Sequence, residues 1–198
     1  AWGTIALATT SSGPTSHRTD WAGGRWGGEI LDFWDDFSAD GKLTERPASG
    51  ADAPMASLAA EVDLPGGAKK EVTFLLAWHF PHRYGWAVDP EKQTPEDEVG
   101  NYYCTKYADA WDVVLKTVPQ LKELTERSAD FVRTLCESSL PEEVKEAALF
   151  NTTGLRTQTS FRIRDGHFLG WEGCCDHKGC CHGSCTHVWN YEQATAFL

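Results

Sequence analysis

The hydrophobic period of this chain changes once along its length, and the change asks for a β-rich first part followed by a helical second part. Leu58, Ala60, Val62 and Leu64 alternate, Pro65-Gly66-Gly67 supplies a turn, and Val72, Phe74, Leu76, Trp78 and Phe80 alternate again. Successive side chains of a strand point to opposite faces, so two such runs about a Pro-Gly turn predict a β-hairpin. TIALAT (residues 4–9) reads as a further strand, and EILDFWDDF (residues 29–37) as a short helix over a sheet end. From Asn101 onward the period is helical: Tyr103, Tyr107, Trp111, Val114, Val118 and Leu121 recur at three and four residues, and Ser128, Val132 and Leu135 continue the stripe. Between the two regimes lies a connector, residues 81–100, with Pro90, Pro95 and the acidic cluster Glu96, Asp97 and Glu98. The domain boundary is placed there. Residues 1–97 read as the C-terminal part of a β-rich domain plus linker, and residues 98–198 as the N-terminal part of a helical domain.

Within the helical part, Pro119 removes an amide and crowds the preceding turn, which predicts a kink or two abutting helices near Thr117. Ser139-Leu140-Pro141-Glu142 has the spacing of a capping box, with a helix to follow through about Asn151. Residues 161–168 alternate around Asp165-Gly166, a pair suited to a tight hairpin turn, and lead the chain into Trp171-Glu172. Cys104 and Cys136 read as small core residues, His79 and His82 as structural histidines at a strand end, and Arg162, Arg164 and Asp165 as hairpin-surface charges.

Composition narrows the function. The 198 residues are 41% hydrophobic and 24% charged, with a mean hydropathy of -0.42, as in water-soluble globular domains. No run approaches the roughly twenty apolar residues of a transmembrane helix. A formal net charge of -11 argues against nucleic acid, whose phosphates call for a Lys/Arg-rich face. Nine tryptophans suit either aromatic platforms for sugars or the filling of a core. Ala1 is not an initiator methionine, residues 4–9 read as a strand in progress, and HVWNYEQATAFL (residues 187–198) is a helical pattern without a stop signal. The sequence reads as an excerpt of a longer protein.

The densest chemistry lies between Trp171 and Trp189. Five of the seven cysteines (Cys174, Cys175, Cys180, Cys181 and Cys185), three of the seven histidines (His177, His182 and His187) and two carboxylates, Glu172 and Asp176, fall in this stretch. An odd, crowded set of cysteines fits a reducing compartment, and with it a weak preference for the cytoplasm, or a metal site better than a disulfide framework. Cys181 to Cys185, and His177 to Cys180 or Cys181, have the separation that lets a ligand pair span one edge of a zinc tetrahedron. Two separated knuckles are nonetheless missing, and no C-x2-C redox pair is present. One reading is therefore a metal-stapled Cys/His-rich interaction module without enzymatic activity. The other centres on Glu172, which follows a tryptophan at a strand exit and precedes Gly173, where the backbone approaches a ligand closely. An acid so placed suits a glycosidase nucleophile, the ring flooring a sugar while the carboxylate attacks its anomeric carbon.

NYYCTKYADAW (residues 101–111), SLPEEVKEAALFN (residues 139–151), FLLAWHFP (residues 74–81) and WEG at Trp171-Glu172-Gly173 followed by GSCTHVWNYEQA (residues 183–194) resemble, in this order, glycoside hydrolase family 116. That family includes bacterial β-glucosidases and β-xylosidases and the non-lysosomal glucosylceramidase, also called bile-acid β-glucosidase. The resemblance implies the tail of an N-terminal β-sandwich-like domain followed by the first helices of an (α/α)6 barrel. It also implies a retaining β-glycosidase with a carbohydrate substrate and no cofactor. In its terms Glu172 is the nucleophile, while the Asp acid/base lies beyond Leu198, so that residues 1–198 alone are inactive. Trp171 and His187 are the substrate-binding residues. His187 stands where the family carries a sugar-binding Asp, and an imidazole does not reproduce a carboxylate's two-oxygen grip, which leaves the choice between glucose and another β-linked sugar open.

Overall fold

A computed structural model of the chain describes residues 3–21, 26, 28–48, 50, 55–85, 90–92, 94–156, 160–170, 173–175 and 178–179. The described strands form four two-stranded sheets: β1 (Thr4–Thr9) with β4 (Phe74–His79), β2 (Thr15–Arg18) with β3 (Ser57–Ala60), β5 (Ser160–Arg162) with β6 (Phe168–Gly170), and β7 (Gly173–Cys175) with β8 (Lys178–Gly179). The chain divides into two compact units, one of residues 6–77 and the other of residues 1–5 with 78–198.

In the unit of residues 6–77, the hairpin expected about Pro65-Gly66-Gly67 does not form. The turn itself exists, with Gly67 at φ +79° and the Ala68 amide donating to Pro65 O at 3.0 Å. Yet β3 pairs antiparallel with β2, Thr15 opposite Ala60 and Arg18 opposite Ser57, and the Glu61 amide continues that ladder to Pro14 O at 2.9 Å. The Thr10 amide donates to Thr73 O at 3.2 Å. Two long arms of chain thus run back along one another, with β2 and β3 nearer the tip. Alternation specifies which faces a strand presents but not which strand it joins, and here the partners of β3 and β4 lie upstream.

At the tip, α1 (Gly28–Asp40) forms where a helix is expected and extends the expected span at both ends. Its inner face is mixed, with Phe33 and Phe37 half-buried beside two carboxylates. Ile30, Leu31 and Trp34 face outward, Trp34 with 59% of its surface exposed, while Asp32 and Asp36 face inward. The cause is Arg18, whose side chain is 0% exposed. Its Nη1 donates to Asp32 Oδ2 at 3.0 Å, its Nη2 to Asp36 Oδ2 at 2.5 Å and its Nε to Thr44 O at 3.1 Å. Arg46 Nη2 donates to the other Asp32 oxygen at 2.6 Å, and Asp36 also accepts from the Thr44 amide and hydroxyl at 2.9 and 2.7 Å. Trp21 stacks on Phe33 at 4.7 Å and its indole N–H donates to Ser57 Oγ at 2.9 Å.

In the other unit, Tyr102–Thr105 is a single 3-10 turn, and the α-helix α2 begins only at Ala110 and runs to Thr117. The expected stripe therefore spans two elements. Asp109 caps α2 by accepting from the Asp112 amide at 2.8 Å, while Asp112 reaches back to the Ala108 amide at 2.9 Å. Pro119 sits in the 3-10 turn Val118–Gln120, after which α3 (Leu121–Cys136) starts, as the proline predicts. The next helix, α4 (Glu142–Asn151), ends where expected, but its N-cap is Pro141 with no side-chain cap bond. The Ser139 capping box is thereby overturned: Pro141, at φ -55° and ψ 147°, holds the chain extended one residue before the helix, so the cap falls two residues later than the motif places it. Cys104 is half-buried, whereas Cys136 is exposed at the end of α3, contrary to its expected place in a core. Leu124, Phe131 and Val132 of α3 and Val144 and Phe150 of α4 are also exposed, Phe150 by 65%.

The Arg18 cluster generates two predictions. Arg18→Met strands two carboxylates that keep their remaining partners, and lowers the stability of the chain by about 3 kcal/mol, the low end for breaking a buried ion pair, read from urea unfolding. The second concerns acid. The Thr44 amide and hydroxyl, and then the Arg18 charge, hold the Asp36 carboxyl below its ordinary value of 3.8 against the opposing effect of burial. A pKa lower in the folded state means that the carboxylate contributes stability that is fully present above about pH 4 and lost as the pH falls through the folded value. Asp36→Asn therefore flattens the decline of stability below about pH 4, measured by denaturant unfolding at several pH values.

Candidate active site

The chain enters the Trp171-Glu172-Gly173 segment from β6, so the support of the β5–β6 hairpin is the local geometry that bears on Glu172. Its register pairs Ser160 with Gly170, Phe161 with Leu169 and Arg162 with Phe168. The turn closes as Asp165-Gly166 predicts. The Ile163 amide donates to His167 O and the Gly166 amide to Ile163 O, both at 2.9 Å. Gly166 at φ +99° takes the left-handed position that a three-residue hairpin loop requires, and Asp165 Oδ1 accepts from the His167 amide at 2.9 Å. β6 ends at Gly170 and β7 begins at Gly173, with Gly173 opposite Gly179 and Cys175 opposite Lys178.

Three ties hold this hairpin. On the apolar side Phe161 is buried against Ile163 and Leu169, and the Arg83 guanidinium lies 3.7 Å from the centre of its ring. Burial pulls the Arg83 pKa below its ordinary value, and the nearby Tyr103 hydroxyl opposes that shift. The second tie is Arg162, whose guanidinium stacks 3.9 Å over Tyr102 while its Nε donates to Gly166 O at 2.9 Å. At the turn, Arg164 provides the third: its amide donates to Val99 O at 3.1 Å, and its Nη2 donates to Glu98 Oε1 and, at 3.4 Å, to Pro81 O.

The receiving surface is itself tightly bonded. Residues 83–85 and 97–99 run antiparallel, with a bridge between Tyr84 and Glu98, the Gly85 amide on Asp97 O at 2.8 Å and the Val99 amide on Arg83 O at 2.8 Å. His82 Nδ1 lies 3.1 Å from Glu98 Oε2. Arg164 first, then His82, holds the Glu98 carboxyl below its usual range. Behind this layer, buried His79 places Nε2 3.0 Å from Tyr107 O, Tyr103 accepts from the Phe80 amide at 3.0 Å, and Asn101 Nδ2 donates to Phe80 O at 2.9 Å. His79 is thus the structural histidine its sequence context predicts. Ser160, buried opposite Gly170, has a hydroxyl without a hydrogen-bond partner among the described residues.

The residues carrying the sequence-based site, Trp171, Glu172 and His187, lie outside the described residues, as do Asp176, His177, Cys180, Cys181, His182 and Cys185. Among the described residues no group of three or more His, Cys, Asp or Glu side chains is placed to hold a metal ion, and no helix is long and apolar enough to cross a membrane. Sequence reasoning missed the joining of Glu98 to Arg164. The two are 66 residues apart, and each reads locally as a solvated charge. Gly100 marks the end of the acidic connector in sequence, but nothing there names Arg164 as a partner.

No curated protein matches the chain. A family model does, that of "beta-glucosidase 2, glycosyl-hydrolase family 116 N-term", across residues 1–124, a span that includes the strands β1 to β4, the bonded surface of residues 79–107, α2 and the first turn of α3. The chain belongs to glycosyl-hydrolase family 116, and its family points to a carbohydrate as substrate.

Proposed function

We propose that the chain is part of a retaining β-glycosidase acting on β-glucosides or related β-linked sugars, glucosylceramide-type substrates included, with Glu172 as its nucleophile. Membership of family 116 carries the reading. The hairpin supports it, since two short ladders flank the Trp171-Glu172 dipeptide in sequence, ending at Gly170 and resuming at Gly173. In the retaining reaction the Glu172 carboxylate attacks the anomeric carbon, and the bond to the leaving oxygen breaks as a second carboxylic acid protonates that oxygen. Water, deprotonated by the same second group, then displaces Glu172 from the glycosyl ester. The two carboxyl groups must stand about 5–5.5 Å apart, and the second belongs to sequence beyond residue 198. Trp171 floors the sugar ring and His187 hydrogen-bonds a hydroxyl. Residues 98–198 contribute the first helices of an (α/α)6 barrel and residues 1–97 the tail of a β-sandwich-like domain. The exposed apolar side chains of α3 and α4 support that division, because further barrel helices would cover them.

The test uses the full-length enzyme and a 2-deoxy-2-fluoro β-glycoside that traps the glycosyl ester. The label is expected on the peptide containing Glu172, and Glu172→Gln is expected to abolish labelling and lower kcat by about 10⁴-fold or more. A label on another carboxylate overturns the assignment. One zinc per chain, whose removal unfolds the protein, together with no labelling at all, establishes the metal-stapled module instead. Residues 1–198 expressed alone are expected to hydrolyse no aryl β-glycoside, as measured by release of the aryl group.

A further inference from the structure

We propose that Arg164, Glu98 and Gly100 form a positioning clasp that sets the direction in which the β5–β6 hairpin delivers Trp171 and Glu172; the inference rests on Glu172 being the nucleophile. A ladder of three residue pairs is too short to hold its own orientation. Its direction comes from what grips it, and the only described ionic contact that ties its turn to the bonded surface beneath is Arg164 on Glu98. The grip has two parts that fix an angle as well as a distance: the Arg164 amide on Val99 O at 3.1 Å, and the guanidinium on Glu98 Oε1 and Pro81 O. Glu98 cannot swing freely to follow Arg164, because its other oxygen is 3.1 Å from His82 Nδ1 and its backbone is bridged to Tyr84.

Gly100 completes the arrangement. A Cβ built on it would stand 2.7 Å from Arg164 Nε and Nη2 and 2.8 Å from Cζ, closer than real side chains come. The guanidinium therefore lies close against a backbone position that only glycine leaves open, and the left-handed φ of +62° excludes most other residues independently. Side-chain exposure of 50% at Arg164 and 18% at Glu98 places the pair at the surface, where an ion pair adds little to global stability. A contact that contributes little stability yet sets the direction of a strand leading to a nucleophile acts on geometry, which reaction rates feel more sharply than folding does.

The experiment compares full-length wild type, Arg164→Gln, Arg164→Lys, Glu98→Gln, the Glu98→Gln/Arg164→Gln double variant and Gly100→Ala. It reads the rate of Glu172 labelling by the fluorinated glycoside, kcat and KM on an aryl β-glycoside, and Tm. The clasp predicts labelling and kcat lowered roughly 10- to 100-fold in Arg164→Gln, Glu98→Gln and Gly100→Ala, with KM within about twofold; Tm stays almost unchanged in Arg164→Gln and Glu98→Gln and falls in Gly100→Ala, where the left-handed backbone strains any Cβ. It also predicts no further loss in the double variant and partial recovery in Arg164→Lys. Wild-type labelling rates in Arg164→Gln overturn the clasp and leave Glu172 as the nucleophile. Rate losses in Arg164→Gln and Glu98→Gln that track a falling Tm, without recovery in Arg164→Lys, overturn it as well, since the pair is then structural. Wild type that carries its label elsewhere than Glu172 removes the parent reading and the clasp with it.

Discussion

A guanidinium withdrawn from water holds its place only where carboxylates and carbonyls surround it, and Arg18 imposes that condition on the unit of residues 6–77. The cost of burying its charge falls as its N–H groups find carboxylates and carbonyls. Asp32 and Asp36, one helical turn apart, meet two of them, and Thr44 O a third. That requirement explains why α1 turns two carboxylates inward beside Phe33 and Phe37 and leaves Trp34 outside, where an ordinary helix presents a wholly apolar inner face. The same oxygens then fix residues 44–46 through Thr44 and Arg46. One buried cation therefore positions a strand end, a helix and a loop.

The unit that leads to Glu172 follows the same logic with neutral groups. Its described apolar burial is thin, with Ala110, Val114 and Phe161 buried, whereas the described backbone between residues 79 and 107 is bonded by side chains, 3-10 turns and a short ladder. His79, Asn101 and Tyr103 each supply a bond that a regular helix or sheet would have supplied. Such a surface has little freedom to shift, because each bond lost leaves a partly buried polar group without water. It is a firm base for a short hairpin.

Much of this organisation was legible in the sequence. Pro119 marks the break between α2 and α3, Asp165-Gly166 marks the β5–β6 turn, and the alternating and helical periods place most elements, because each signal acts within a few residues. What was illegible depends on pairing across distance. The alternation of residues 58–64 and 72–80 was read as one hairpin, but β3 joins β2 and β4 joins β1, and nothing in the alternation names a partner. Ser139 met the pattern of a capping box while Pro141 took the cap, because the extended conformation of a proline outranked a side-chain bond. Nothing in the sequence singles out Arg18, since its neighbours disclose nothing of Asp32 and Asp36. Of the candidate site, the motifs propose Trp171, Glu172 and His187, which lie outside the described residues, and they give no hint that residues 98–100 bond the turn of the hairpin that precedes them.

That asymmetry has a physical origin. A nucleophile must be recognisable in sequence because its chemistry admits only a few residue types, with a glycine beside it and an aromatic floor. The groups that orient it are under no such restriction. A surface ion pair, a cation over a ring and a glycine that leaves room for a guanidinium can be built from common residues at any separation. In this chain those groups converge on one three-residue ladder: Arg83 on Phe161, Arg162 on Tyr102 and Arg164 on Glu98. Positions 161 and 162 bind on opposite faces and position 164 at the turn, so rotation of the hairpin about its own axis is opposed from each side. An orientation defined in that way is set before any substrate arrives. Preorganisation of this kind is what a reaction between a carboxylate and an anomeric carbon demands, because its rate falls steeply as the angle of approach drifts.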